Sequence, residues 1–384
     1  MKQLFLIGAS ALALLAAPAF AQANNSTVSQ NGADNSGNVT QNGSGATSTL
    51  NQFGTNNRAA ITQSNAGARA TVNQGGRPNA QERERFSLSD IAYESSSADA
   101  TVTQAAASVA SIDQLIVNGG TARDVKATIE QGALSTGSNA AIRQRLSGAA
   151  SAIVRQTGAA NTSTIKQYQG NHTATNEQSG NGNNSAIDQG GSGTTATVLQ
   201  SGDDNKSDVF IFGNNEGVRV EQIGTYAVST VSQGASNSFA SIYQAGAENE
   251  SGVYQGEQSS ATVRQLGVNG SSGISQQFGE TAKVTQTATS SDAVSSITQT
   301  AANWGFHNNS ATVEQRGDGV ESTIRQDGSS MIASVIQDGV GSQSGISQTG
   351  VGHSATVSQY SADNRSTLTQ TGTGNSAIVT QGTM

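Results

Sequence analysis

Glutamine is the residue whose type and spacing stand out in this chain of 384 residues. A primary amide is neither an acid nor a nucleophile, but it carries two N–H donors and a carbonyl acceptor. The residues that could perform acid–base or metal chemistry are dispersed, because His172, His307 and His353 lie far apart and acidic residues occur singly. We therefore expect no metal or cofactor site. We place the histidines in turns or on the surface and assign the chemistry of the chain to amide hydrogen bonds.

The glutamines recur at a fixed interval. Between Gln30 and Gln381 there are 29 recurring positions, and 18 of the 28 intervals are eleven residues long. Two places before each glutamine stands Val, Ile or Leu at 28 of these positions, and only Asn176 departs. One position lacks its glutamine, because Ile211 stands midway between Gln200 and Gln222 and interrupts the series. The predicted ladder comprises Gln156, Gln167, Gln178, Gln189, Gln200, Gln222, Gln233, Gln244, Gln255, Gln315, Gln326, Gln337, Gln348, Gln359, Gln370 and Gln381.

Strands are the elements that place these residues on one face. Positions −4, −2 and 0 relative to each glutamine would scatter around a helix, whereas on a strand they share one side. Turn residues such as those of 202–205 (GDDN) separate the units and would break a continuous helix. Position −4 alternates between serine and alanine from Ser163 onward, with Val218 as the exception, so the repeating unit is two strands of about 22 residues together.

The sequence therefore predicts an all-β fold. We expect a β-solenoid of stacked strand–turn–strand coils. Its two parallel, in-register sheets form a cross-β arrangement, in which successive coils lie about 4.8 Å apart. The inward glutamines then lie above one another, and each amide bonds the identical amide one coil away. An unpaired buried amide would cost roughly 2–7 kcal/mol, so a continuous column removes a large penalty.

Composition supports export and a repeat architecture. Only 34% of residues are hydrophobic, 45 are glycine and none is cysteine. Residues 1–21 are typical of a secretory signal peptide, and no later segment predicts a transmembrane helix. We divide the remainder into N-terminal repeats (22–74), an irregular insertion (75–103) and a repeat solenoid (104–384). The insertion is typical of a partner-binding loop or of a solvated segment. The aromatic loop around Trp304 could adhere to a surface or a sugar, or its side chains could cover the sheet edge.

The repeat resembles that of the curlin family. The family motif places Ser, then Gln, Gly and Asn, then Ala and a second Gln. Residues 151–161 (SAIVRQTGAAN), 200–205 (QSGDDN) and 370–381 (QTGTGNSAIVTQ) are similar to it. The resemblance implies subunits of curli, the amyloid fibres that support adhesion and the biofilm matrix at the bacterial surface. It further implies a homopolymer, a nucleator subunit, an outer-membrane secretion channel and an extracellular location.

Two other function classes remain as alternatives to a polymerising subunit. The chain could be a non-polymerising β-solenoid adhesin, or the fibre nucleator rather than the major subunit. A β-helix enzyme acting on polysaccharide would need clustered carboxylates and aromatics, which the sequence does not provide, so we expect no enzyme. The net negative charge argues against nucleic acid as a partner.

Overall fold

The computed structural model describes residues 23–76, 95–116, 124–146, 148–300 and 308–382. These residues form two long sheets that face each other, as the repeat predicts. The first, sheet A, has 16 strands. They are β1 (Asn25–Ala33), β3 (Thr47–Thr55), β5 (Arg69–Gln74), β6 (Ser95–Ser96), β8 (Val109–Ile116), β10 (Asn139–Leu146), β12 (Thr162–Gln169), β14 (Asn184–Gln189), β16 (Lys206–Ile211), β18 (Val228–Gln233), β20 (Glu250–Glu257), β22 (Ser271–Phe278), β24 (Val294–Thr300), β26 (Glu321–Ser329), β28 (Gln343–Val351) and β30 (Arg365–Thr373).

The second sheet, sheet B, has 15 strands that alternate in sequence with those of sheet A. They are β2 (Ser36–Gln41), β4 (Arg58–Gln63), β7 (Ala98–Gln104), β9 (Val125–Gln131), β11 (Ala150–Thr157), β13 (His172–Ser179), β15 (Thr195–Ser201), β17 (Gly217–Gln222), β19 (Phe239–Gln244), β21 (Ser260–Gln265), β23 (Thr281–Gln286), β25 (Ser310–Gln315), β27 (Ile332–Gln337), β29 (Ser354–Gln359) and β31 (Ser376–Gln381).

Apart from the two-residue β6, which pairs with β3, the strands of successive coils pair in parallel within each sheet. In sheet B, for example, β11 pairs with β13 so that Gln156 lies beside Gln178. The long interval before Gln315 keeps this register, since β23 pairs with β25 and Gln286 lies beside Gln315. The extra residues of this interval therefore do not change the register of the strands. The all-β solenoid of about 22 residues per coil, predicted from the sequence, is confirmed.

The core is the narrow seam between the sheets. It is lined by the side chains of positions −4, −2 and 0, which alternate with outward residues along each strand. The middle row consists of buried Val, Ile and Leu, and each such side chain contributes about 1.5–3 kcal/mol when fully buried. Serine occupies position −4 along most of sheet A and alanine along most of sheet B. Like side chains are therefore stacked on like.

Several predicted features have a different position or lie beyond the described residues. His172 begins β13 and His353 precedes β29, at the ends of turns, but both side chains are buried. The predicted turn positions are therefore confirmed for these two, and their side chains are buried because the turn column in which they stand faces inward. Residues 1–21, Trp304, His307 and the main part of the predicted insertion (77–94) lie outside the described residues. No helix of the described part is long and apolar enough to cross a membrane.

Candidate assembly site

The glutamine side chains of sheet B form one continuous column along the described coils. Each Nε2 donates to the Oε1 of the glutamine in the following coil, at 2.8–3.0 Å. All bonds run in the same direction, so the column has a donor end and an acceptor end. Its members are Gln41, Gln63, Gln104, Gln131, Gln156, Gln178, Gln200, Gln222, Gln244, Gln265, Gln286, Gln315, Gln337, Gln359 and Gln381.

The second N–H of each amide joins the two sheets. Gln178 Nε2 donates to the backbone carbonyl of Thr162 in the preceding strand, at 2.9 Å, and Gln337 Nε2 donates to that of Glu321 at the same distance. The amide thus uses both donors and its acceptor inside a seam that water does not enter. This geometry removes the desolvation penalty that a single buried amide would suffer.

Sheet A has the same column with one interruption. Amide bonds connect Gln30 to Gln189 through five intermediate glutamines and connect Gln233 to Gln370 through five others. Ile211 stands between the two runs and lies beside both Gln189 and Gln233 in the sheet. The members outside the break are Gln30, Gln52, Gln74, Gln114, Gln144, Gln167, Gln189, Gln233, Gln255, Gln276, Gln299, Gln326, Gln348 and Gln370.

The break leaves different groups on its two sides. Gln189 Nε2 turns to the hydroxyl of Thr194 at 3.1 Å, and that hydroxyl also contacts His172 Nδ1 at 2.7 Å. On the other side, the Oε1 of Gln233 is buried and has no hydrogen-bond partner. The donor side is therefore compensated by a threonine, whereas the acceptor side is not.

The coil formed by β16 and β17 departs from the repeat at three inward positions. Ile211 replaces glutamine, Val218 replaces alanine and Glu216 fills a turn position that is asparagine in several other coils. In other coils the tip of a sheet A glutamine reaches the start of a sheet B strand, as Gln233 Nε2 does when it donates to Gly217 O at 3.3 Å. Val218 therefore lies beside the tip of Gln233, the glutamine whose Oε1 is left unpaired next to Ile211.

A second set of polar columns holds the turns that lead from sheet B to sheet A. Asn183 Nδ2 donates to the carbonyl of Gly202 in the next coil at 2.7 Å, and Asn183 Oδ1 accepts from the N–H of Asn205 at 3.0 Å. The glycine two places after the sheet B glutamine is required by close approach, because a Cβ at Gly180 would collide with the carbonyl oxygen of Gly202. Gly180 also has a φ of 96°, which favours glycine.

The asparagine and glycine columns are structural residues that the predicted ladder does not contain. Where they occur, they follow a sheet B glutamine at distances of five and two residues, as Asn183 and Gly180 follow Gln178. The asparagine is present after Gln156, Gln178, Gln200, Gln244 and Gln359. That constant offset is the sequence signal that identifies them. Its meaning depends on the coil-to-coil contact, which no single repeat displays.

The first and last described coils expose faces of the same design. In the last coil, Asn375 and Gln381 accept hydrogen bonds from the preceding coil through their carbonyl groups. Alternate residues of a parallel strand direct both backbone groups to the same side, so Ser376, Ile378 and Thr380 direct theirs away from the solenoid. The side chain of Ile378 is 75% exposed.

The opposite face has the complementary arrangement. Asn25 N–H donates into the second coil, to Ala46 O at 2.9 Å, and Ser36 N–H donates to Asn57 O at 2.8 Å. By the same alternation, Val28 in β1 and Val39 in β2 direct their backbone groups outward. Each face therefore presents strand edges of the kind that pair with a further strand.

The structure brings the predicted ladder residues together in two columns, and Ile211 lies in the sheet A column. No group of three or more histidine, aspartate or glutamate side chains among the described residues could hold a metal ion.

Comparison with known proteins identifies the repeat. The model of the curlin associated repeat matches residues 32–65, 307–339 and 343–372. No curated protein matches the chain. Curlin repeats and the β-solenoid fold are structural rather than enzymatic, which agrees with a seam filled by hydrogen-bonded amides. The chain therefore contains curlin associated repeats, and these three matches support its likeness to the curlin family.

Proposed function

We propose that this chain is a secreted structural subunit that assembles with copies of itself into curli-like amyloid fibres on the bacterial surface. In this role the fibres support adhesion and the biofilm matrix. A nucleator subunit and an outer-membrane secretion channel are the partners that the curlin repeat suggests. The observation that carries the proposal is the match between the two exposed end faces.

The inward residues of the last coil match those of the first. Sheet A ends on Ser366, Leu368 and Gln370 and begins with Ser26, Val28 and Gln30. Sheet B ends on Ala377, Val379 and Gln381 and begins with Gly37, Val39 and Gln41. The two glutamines of each end coil are eleven residues apart, so a second copy can continue both columns in register. Such a head-to-tail contact does not close on itself and produces a filament.

The direction of the amide bonds favours one polarity of addition. Gln381 Nε2 uses one N–H on Arg365 O at 3.0 Å, and its other N–H lies at the donor end of the column. Gln41 stands at the acceptor end and donates to Gln63 Oε1 at 2.9 Å. The last coil of one copy therefore meets the first coil of the next in the same way as neighbouring coils meet inside the chain.

A proline at the last strand tests this contact. Ile378→Pro removes an N–H that points away from the solenoid, and Thr367→Pro does the same in β30, so both preserve the coil's internal hydrogen bonds. We expect the double variant to remain a folded monomer by circular dichroism and size-exclusion chromatography. The wild-type chain should form thioflavin-positive fibres with a meridional diffraction spacing of about 4.7–4.8 Å.

A matched control retains the backbone donors. The variant with Ile378→Thr and Thr367→Val changes the same two side chains but keeps both N–H groups, so it should assemble like the wild type. The double-proline chain added at a low ratio should also slow wild-type elongation, since its first coil can still add to a growing end. A wild-type chain that stays monomeric at high concentration would contradict the proposed function and favour an adhesin.

A further inference from the structure

Glu216 is a buried acid in the coil where the sheet A column is broken. Its side chain is 2% exposed and stands in the turn between β16 and β17. One carboxyl oxygen, Oε2, accepts the N–H of Gly213 at 3.0 Å, whereas Oε1 is buried without a partner. The Oε1 of Gln233 in the following coil is also buried without a partner. Two buried oxygen atoms without hydrogen-bond partners therefore lie in adjacent coils.

No positive charge among the described residues pairs with Glu216. In its own coil, Lys206 pairs with Asp208 at 3.2 Å and Arg219 with Glu221 at 2.7 Å, and all four lie on outward positions of their strands. The equivalent turn residues of the neighbouring coils are Thr194 and Ser238, which are uncharged. The titratable residues in the coils packed on either side are Asp188, Asp203, Asp204, Tyr226, Tyr243 and Glu248. None of these side chains carries a positive charge.

A second buried glutamate has hydrogen-bond partners for both of its carboxyl oxygens. Glu280 occupies the equivalent turn position and is 1% exposed. Its Oε2 accepts the N–H of Gln277 at 2.7 Å, and its Oε1 accepts Asn309 Nδ2 of the next coil at 3.2 Å. The two glutamates differ in their partners, since the next coil offers Glu280 a side-chain amide donor at Oε1. It offers Glu216 only the backbone N–H of Ala235, and Glu216 Oε1 stays without a hydrogen bond.

We propose that Glu216 is a neutral carboxylic acid in the folded solenoid and that its ionisation loosens the coil formed by β16 and β17. A neutral carboxyl carries an O–H donor, and the amide of Gln233 has an unpaired acceptor, Oε1. That amide comes close to Glu216, because Gln233 Nε2 donates to the carbonyl of the adjacent Gly217. An ionised carboxylate would leave an uncompensated charge in a dry seam. The coil thus acts as a proton-dependent weak point within the stack.

The electrostatics agree with this geometry. Burial raises the pKa of Glu216 to about 7, although hydrogen bonds from the backbone of Gly213 and Ala235 act in the opposite direction. A folded-state pKa above the unfolded value means that folding binds a proton. The loss of folding stability caused by ionisation of Glu216 is therefore absent below about pH 4.5. It grows as the pH rises toward 7 and is constant above that value.

Hydrogen exchange of the full mature chain tests the proposal. Between pH 5 and pH 8, after correction for intrinsic exchange rates, we expect protection of residues 206–222 to fall roughly a hundredfold relative to residues 271–286. Glu216→Gln should abolish this extra loss, because the amide cannot ionise, and Glu280→Gln should retain it. An equal loss in the wild type and in Glu216→Gln would overturn the proposal.

A second measurement does not depend on a variant. Carbon-13 NMR of the wild-type chain labelled at glutamate side chains follows the ionisation of Glu216 directly, with its signal assigned by through-bond correlation to the backbone of the same residue. We expect its titration midpoint near neutral pH. A Glu216 carboxyl that is already ionised at pH 5 would contradict the proposal even if the variant failed to fold.

Discussion

The two amide columns have the same chemistry but differ in continuity. In sheet B, fifteen glutamines bond one another from the first described coil to the last. In sheet A, Ile211 divides the column, and Gln233 Oε1 remains without a partner. The difference shows that the stability of a buried amide depends on its neighbours along the axis. Each column has one satisfied interior and two ends, and every break adds two more ends.

The largest expected effect follows from breaking the intact column. Gln200→Leu removes the acceptor of Gln178 and the donor to Gln222, each at 2.8 Å, as well as the bond to Asn184 O. Because Gln222 Oε1 would remain buried and unpaired, we expect the free energy of unfolding to fall by about 2–4 kcal/mol. Denaturant unfolding of the proline-capped monomer measures this change without interference from assembly.

The matched substitution beside the existing break sharpens the comparison. Gln189→Leu also removes the acceptor of a preceding glutamine, Gln167, but no glutamine follows it. Its other partner, Thr194 Oγ1, keeps the contact with His172. We expect this variant to cost about 1 kcal/mol less than Gln200→Leu. Equal costs would show that continuity along the axis does not govern the columns.

Sequence periodicity predicts the faces of the strands but not all contacts between coils. The eleven-residue interval and the Ser–Ala alternation are properties of single positions, and they correctly indicate the two sheets and their register. The direction of the amide bonds, the bonds of Asn183 to the next coil and the partners of Glu280 are relations between residues about 22 positions apart. They depend on side-chain conformations that no sequence pattern specifies.

Residues that depart from the repeat also have contacts that the sequence pattern does not predict. His172 and His353 look like ordinary turn residues in the sequence, yet their column is buried and each contacts a neighbouring coil. Ile211 and Val218 are separate exceptions in the sequence, but in the structure both adjoin Gln233. Ile211 is its neighbour in sheet A, and Val218 follows the Gly217 whose carbonyl accepts from Gln233 Nε2.

Asn176 provides a test with a smaller effect in sheet B. It replaces the branched apolar residue of the middle row, lies between Val154 and Val198, and is fully buried with both amide atoms unpaired. We expect Asn176→Val to raise the free energy of unfolding by about 1–3 kcal/mol, because it removes two unsatisfied groups and restores apolar contact.

Asn183→Val is the control for this substitution. Asn183 is equally buried, but its side chain bonds Ser179 O, Gly202 O and the N–H of Asn205. The same chemical change should therefore destabilise the chain at this position. Opposite signs for the two variants identify hydrogen-bond partners, rather than burial alone, as the cause, and a destabilising Asn176→Val would refute this account.

The smallest expected effect comes from repairing the broken column. Ile211→Gln supplies an acceptor for Gln189 and a donor for Gln233 Oε1, so it should stabilise the assembled form by about 1 kcal/mol after the loss of buried apolar surface. Val218 lies beside the tip of Gln233 and is larger than the usual alanine, so the double variant with Val218→Ala should gain more than the single one. Denaturant resistance of fibres measures both, and a cycle that includes Val218→Ala alone isolates the coupling. If both repaired chains resist denaturant less than the wild type, the inward amides do not stabilise the stack, because a restored bond on each side of residue 211 would then bring no gain.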